Sequence, residues 1–158
     1  MPWKKVKLVV EPKVRALCVH PYPNHPKGCP NFNKKRGCPP KVRLVGVHLD
    51  LDKDTYVVWN DFDLKAHVDK MRAKYPKWTD RQVECCLYWQ PRARKQLKAI
   101  VAEFEDLFPG LRVIHTPEAQ GVNLTETMRL VGVELEWPPK NVARQIVVAG
   151  TRKGTTSR

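Results

Sequence analysis

Acidic residues are nearly missing from the first third of this 158-residue chain: residues 1–48 hold eleven Lys or Arg and a single acid, Glu11. Long apolar runs are missing as well. No stretch approaches the roughly 18 apolar residues of a membrane span, and the short apolar run Val6–Val10 is broken by Lys7, unlike the core of a signal peptide. These absences predict a protein with no membrane segment, working in the cytoplasm. Glycine is scarce, at eight residues, and no Walker loop, dinucleotide fingerprint, zincin helix or nucleophile elbow occurs, which excludes the enzyme classes those motifs carry. Cysteines two to four residues apart, as in a zinc finger or ribbon, are also lacking. Five cysteines leave one unpaired in any internal disulfide scheme, and a reducing compartment disfavours disulfides in any case.

What is present is a globular composition, 42% hydrophobic, with a net charge of +13. The length suits one domain, residues 1–150, followed by a mobile basic tail over 151–158 that has no apolar side chain. The expected class is α+β: a mixed sheet of four to six strands, two or three helices, and a proline-rich metal-binding loop. Strands are predicted at Lys5–Val10, at Lys41–Leu51, where the apolar content is dense enough for a central strand, and at Thr55–Trp59. Asn60 or Asp61 is placed to cap a helix carrying Leu64, Val68 and Met71, which Pro76 stops. Thr79 opens another, with Gln82 completing a capping box and Val83, Cys86 and Leu87 on one face. Pro91 starts or kinks a third, whose stripe is Leu97, Ile100, Val101, Phe104 and Phe108. Further strands are expected at Leu111–His115, Leu130–Trp137 and Ala143–Gly150, with a helical turn at Leu124–Arg129. Val42–Asp50 and Met128–Glu136 echo one another, as two similarly packed neighbouring strands would.

The segment from Cys18 to Pro40 is too poor in aliphatic side chains to bury itself, and it holds three of the five cysteines. Cys18, Cys29 and Cys38 can converge on a metal if the loop folds back twice, and the six prolines between Pro21 and Pro40 lower the entropy that opposes this. Gly28 and Gly37 each precede a cysteine, where a bare backbone can approach a bulky cluster. Two ligand schemes remain open. A 4Fe–4S cluster held by Cys18, Cys29 and Cys38 keeps one iron open, and the Cys-Pro pairs at 29–30 and 38–39 are familiar companions of cluster ligands. Zn2+ would take the same three thiolates with His20 or His25 as the fourth ligand.

The stretch from His25 to Phe32 together with Gly37–Pro40 resembles the cysteine-rich loops of several poorly characterised families of predicted metal-binding or iron–sulfur proteins. The resemblance covers about 23 residues, those of the loop, and implies a bound metal without implying a reaction.

The positive balance of +10 in residues 1–48, against +3 in the remainder, locates the electrostatic field on this loop. The expected partner is a polyanion, RNA, DNA or a nucleotide, met by Lys27, Lys34, Lys35 and Arg36. Tyr88 and Trp89 beside Arg92, Arg94 and Lys95 form a second candidate contact, able to stack a base and neutralise a phosphate. Of the paired cysteines on the Thr79 helix, Cys86 reads as a buried small hydrophobe and Cys85 as a spare thiol. Cys85 and Glu84 are the candidate assistants of any catalysis at an open iron. His67 and Asp63, four residues apart, read as a surface pair. Two functions therefore stand side by side: an iron–sulfur protein modifying a nucleotide or nucleic-acid base, sulfur chemistry included, and a zinc-stabilised nucleic-acid-binding or interaction module without catalysis.

Overall fold

The computed structural model describes residues 1–19, 28, 33, 34, 36 and 38–154, the side chains of 17–19 excepted. Its centre is a four-stranded sheet in the order β1-β2-β6-β4, built from Trp3–Lys5 (β1), Thr55–Trp59 (β2), Leu111–Ile114 (β4) and Ile146–Thr151 (β6). A two-stranded ladder pairs Phe62–Asp63 (β3) with Val142–Ala143 (β5). Every ladder among the described residues is antiparallel, so the expected mixed sheet is corrected to an antiparallel one. Among the described residues five α-helices accompany it instead of two or three: Val45–His48 (α1), Leu64–Lys74 (α2), Asp80–Val83 (α3), Gln90–Leu107 (α4) and Leu124–Arg129 (α5). Three of them are six residues or shorter, below the length that periodicity alone can detect.

The sheet is covered on both faces, which explains why β2 and β6 read as near-continuous apolar runs. Val57, Trp59, Ile146 and Val148 look one way, into a cluster with Val45, Leu49, Val122, Leu124 and Met128. Val58, Val147 and Ala149 look the other way, against Val101 and Phe104 of α4. Leu97, Ile100 and Phe108 complete the α4 stripe as predicted. Beyond the sheet, Leu64, Trp89, Ala93 and Ala143 form a third cluster that fixes α2 to the first turns of α4. Asn60, wholly buried, stitches these units together: its Nδ2 donates to the Ala93 carbonyl (3.1 Å) and to Gln96 Oε1 (3.0 Å), and its Oδ1 accepts from the Gln145 N–H (2.8 Å). The cap of α2 is therefore Asp63, which accepts from the Ala66 N–H.

Two predicted strands are absent. Lys41–Leu51 contains α1, because Val45 and Leu49 are buried one helical turn apart while Val47 faces solvent. Leu130–Trp137 is irregular. Val131, Val133 and Leu135 do alternate onto the core, but Gly132 has φ +80 and the segment joins no ladder. The sequence echo thus marks two segments lining one core, not two neighbouring strands. The first strand starts and ends earlier than expected, at Trp3–Lys5, and the chain beyond it continues extended, with the Val6 N–H on the Thr55 carbonyl and Val10 bridged to Val122. At the other end β6 runs to Thr151, Arg152 bridges Leu49 and the Lys153 N–H donates to the His48 carbonyl, so these three positions belong to the fold. Residues 155–158 of the expected tail lie outside the described residues.

Candidate nucleic-acid interface

Of the predicted metal ligands, His20, His25 and Cys29 lie outside the described residues, as do Lys27 and Lys35 of the basic set. Cys18 is described through its backbone, near the end of a 3-10 helix spanning Pro12–Val19. Cys38 carries a free, half-buried thiol. Its carbonyl accepts from the Val42 N–H (3.0 Å), and the Val42 carbonyl accepts from Arg15 Nη2, so the helix that leads into Cys18 is tied to the turn that follows Cys38. Asn33 donates its N–H to the Pro39 carbonyl (2.6 Å), and Lys41 reaches the Lys34 carbonyl (3.4 Å). Lys34 and Arg36 are exposed. Gly28 has φ +86, a conformation that favours glycine at this position before Cys29. Among the described residues no three His, Cys, Asp or Glu side chains come together as a metal site.

A second basic surface lies on the helices. Leu64–Lys98 contains ten Lys or Arg and three acids, a concentration hidden when residues 49–158 are averaged as one block. All three acids are engaged: Asp69 with Lys65 (3.3 Å), Asp80 with Arg72 (2.7 Å) and Glu84 with Lys140 (3.4 Å). Lys70, Lys74, Lys77, Arg81, Lys95 and Lys98 are exposed and form no ion pair among the described residues.

Three aromatic rings run through this surface. Pro76 ends α2 with Tyr75 as its C-cap, and the Trp78 N–H donates to the Tyr75 carbonyl, which lays the two rings face to face at 4.1 Å and 9°. The Thr79–Gln82 capping box then starts α3, which lasts one turn before the chain tightens into a 3-10 turn at Cys86–Tyr88. That turn returns Tyr88 to Trp78, with ring centres 5.3 Å apart. Lys74 Nζ stands 5.3 Å from the Tyr75 ring centre. Tyr88 is 49% exposed and Leu87 77%. Neither Tyr75 nor Trp78 was among the expected contacts, although their spacing of three across a helix end, amid Lys74, Lys77 and Arg81, is a signal the sequence carries.

The sequence-predicted residues are divided by the structure. Trp89 is buried, stacked on Phe62 at 5.4 Å, with its indole N–H on the Glu84 carbonyl (3.2 Å), so it is core, and Tyr88 alone of that pair is open. Arg92 is held by His67 Nδ1 (2.8 Å) and lies 5.6 Å from the Phe62 ring centre. Arg94 contacts Gln90 (3.1 Å), and Lys95 is exposed. His67 is buried, not a surface partner of Asp63, and its Nε2 has no hydrogen-bond partner among the described residues. Burial, then the charges of Arg92 and Lys70, hold its pKa below the usual histidine value. Cys86 is exposed and Cys85 half-buried, the reverse of the expected order for Cys86, because α3 ends at Val83 and helical spacing stops applying. Glu84 is committed to Lys140.

No protein-family model, curated protein or solved structure matches this chain. Among the described residues, no helix is long and apolar enough to cross a membrane.

Proposed function

We propose that this protein binds single-stranded nucleic acid, RNA or DNA, across the surface formed by α2, α3 and the first half of α4, with its cysteine loop stapled by a metal. The observation that carries the proposal is the Tyr75–Trp78–Tyr88 ladder set among cations with no carboxylate partner among the described residues. Proteins that bind single strands combine a positive groove for the backbone with aromatic faces for the bases, and the stacking tolerates any sequence. Pairing of all three local acids leaves the surplus charge to attract phosphate. Metal-held thiolates suit the reducing cytoplasm expected for the protein.

The test is the affinity of a short single-stranded oligonucleotide for the wild-type chain and for Tyr88→Ala, an exposed position whose truncation spares the core. Stacking of one base is worth about 1–3 kcal/mol, so affinity falls about five- to 150-fold. Unchanged affinity in Tyr88→Ala removes the ladder from the interface.

A second reading is the iron–sulfur protein acting on a nucleotide or base. It draws on the link through Arg15 and Val42 between the segments that carry Cys18 and Cys38, and on the free thiol of Cys38. Brown anaerobic protein with iron and sulfide in equal amounts supports it; colourless protein with zinc supports the staple.

A further inference from the structure

Two adjoining hollows share His115, Gln145 and Ile146. The smaller, about 360 Å3, is also walled by Glu118, Trp137 and Arg144. The larger, about 710 Å3, has Leu97, Val101 and Val147 as apolar lining and Arg94, Lys98 and, further along, the carboxylate Glu105 on its α4 side. Both volumes fall in the range of small-ligand sites.

The smaller hollow contains a carboxyl that the fold leaves unused. Gln145 also lines it, but its Oε1 is fully buried, without a partner among the described residues, and does not open onto the hollow. The Glu118 carboxyl, half-buried, makes no hydrogen bond or ion pair with any described residue, and its partial burial raises its pKa. Arg144 does not supply the missing partner, because its guanidinium is committed to Asp61 (2.6 Å) and the Glu134 carbonyl (3.3 Å). Trp137 is 64% exposed, yet its ring is pinned, with Nε1 donating to Thr125 Oγ1 at 3.1 Å. An open aromatic face therefore shares the hollow with a carboxylate that no described residue partners. A matching ligand would give that carboxylate the donors the fold does not supply.

The complementary ligand is a flat ring bearing adjacent N–H donors. Guanine presents its N1–H and N2–H on one edge, and a carboxylate accepts both together. Adenine offers an amine beside a ring acceptor, which sets a lone pair against the second carboxylate oxygen. From these residues we infer that the hollow between Glu118 and Trp137 is a guanine pocket, with a phosphate seat at Arg94 and Lys98 on α4. The ring stacks on Trp137 and Glu118 accepts from its N1–H and N2–H. The Gln145 amide and His115 meet the rest of the ring and the sugar, and the phosphate leaves through the larger hollow. Free guanine nucleotides and guanines in a strand share this chemistry. The inference does not rest on strand binding by the Tyr75–Trp78–Tyr88 surface.

Calorimetric titration with guanosine 5′-monophosphate, adenosine 5′-monophosphate and guanosine tests the pocket, alongside single-stranded RNAs with and without guanine. The wild-type chain should prefer the guanine nucleotide, or guanine-containing RNA, by about tenfold or more, the discrimination expected of one bidentate contact. Glu118→Gln, nearly isosteric, should abolish that preference and favour adenine, whose amine and ring acceptor match the carboxamide's acceptor and donor, and Trp137→Ala, at an exposed site, should weaken both bases. Replacing Arg94 and Lys98 by Gln should erase the advantage of the nucleotide over guanosine. The preference for guanine over adenine should persist in Tyr88→Ala, which separates this site from the helical surface. Preference only within RNA identifies a strand as the source, and preference for the free nucleotide identifies a mononucleotide. Absence of guanine preference in both forms, or its persistence in Glu118→Gln, overturns the pocket even if oligonucleotides bind elsewhere.

Discussion

Asn60 offers a test of how the helical surface is fixed to the sheet. Replacing it by Ala deletes two bonds to α4 and strips the Gln145 N–H of its acceptor. One unsatisfied buried donor costs about 1–3 kcal/mol, and the small cavity raises the total to about 2–4 kcal/mol. Asn60→Asp is the sharper perturbation because it keeps the shape and the acceptor for Gln145 but points an oxygen at the Ala93 carbonyl and Gln96 Oε1. An ionised carboxylate there is buried without a cation, and about 3 kcal/mol or more is lost at neutral pH. Protonation restores a donor, so the folded-state pKa of the introduced carboxyl must rise above its unfolded value of about 3.9. The sign follows: relative to wild type, the variant is least impaired below the unfolded pKa, and its deficit grows as pH rises through the folded pKa. Urea midpoints of wild type, Asn60→Ala and Asn60→Asp from about pH 4 to 8 measure this. An Asn60→Asp chain as stable as wild type at neutral pH refutes the assigned hydrogen bonds.

Other expectations follow from single sites. His67 is buried with a lowered pKa, so the unfolded chain protonates first and stability is lost as pH falls below about 6.5 toward the folded value; His67→Gln should flatten that part of the urea-midpoint profile, and an unchanged slope refutes the role of His67. Gly121 has φ +89, and an added Cβ would stand 2.8 Å from Leu44 Cδ2 and 3.4 Å from the Pro12 backbone. Gly121→Ala should cost about 1–3 kcal/mol, while Gly110→Ala, with nothing within 4 Å, should stay within about 0.5 kcal/mol of wild type. If the cysteine loop holds a metal, Cys29→Ser should lower the metal content of the purified protein and loosen the loop; undiminished metal by elemental analysis rejects the ligand.

Local rules were readable where they acted alone. Thr55–Trp59, the Thr79–Gln82 capping box, the α4 stripe and Leu124–Arg129 all stand where propensity and spacing put them. Lys41–Leu51 was not readable because its apolar residues fit both periods, and burial of Val45 and Leu49 on one helical turn decided between them. Leu130–Trp137 alternates like a strand, but Glu136 organises the chain there, accepting the N–H groups of Val142, Asn141 and Lys140 and the side-chain amide of Asn141, bonds that hold its pKa down to about 2. Such a side-chain hub leaves no periodic trace. At the candidate interface, the charge at Leu64–Lys98 was visible in the composition of a shorter window, whereas the meeting of Tyr88 with Trp78 depended on a 3-10 turn that no spacing rule anticipates.

The central claim is that nucleic acid meets the helical surface. The most direct measurement is the salt dependence of single-stranded RNA and DNA binding for three proteins: wild type, Lys74/Lys77/Arg81→Gln and Lys34/Arg36→Gln. If the three helical cations each meet a phosphate, log affinity against log salt should lose about 2 units of slope in the first variant, since each contact on a single strand contributes about 0.7. The loop variant should change less. Equal losses in the two variants, or no binding by the wild-type chain at about 0.15 M salt, would contradict the account.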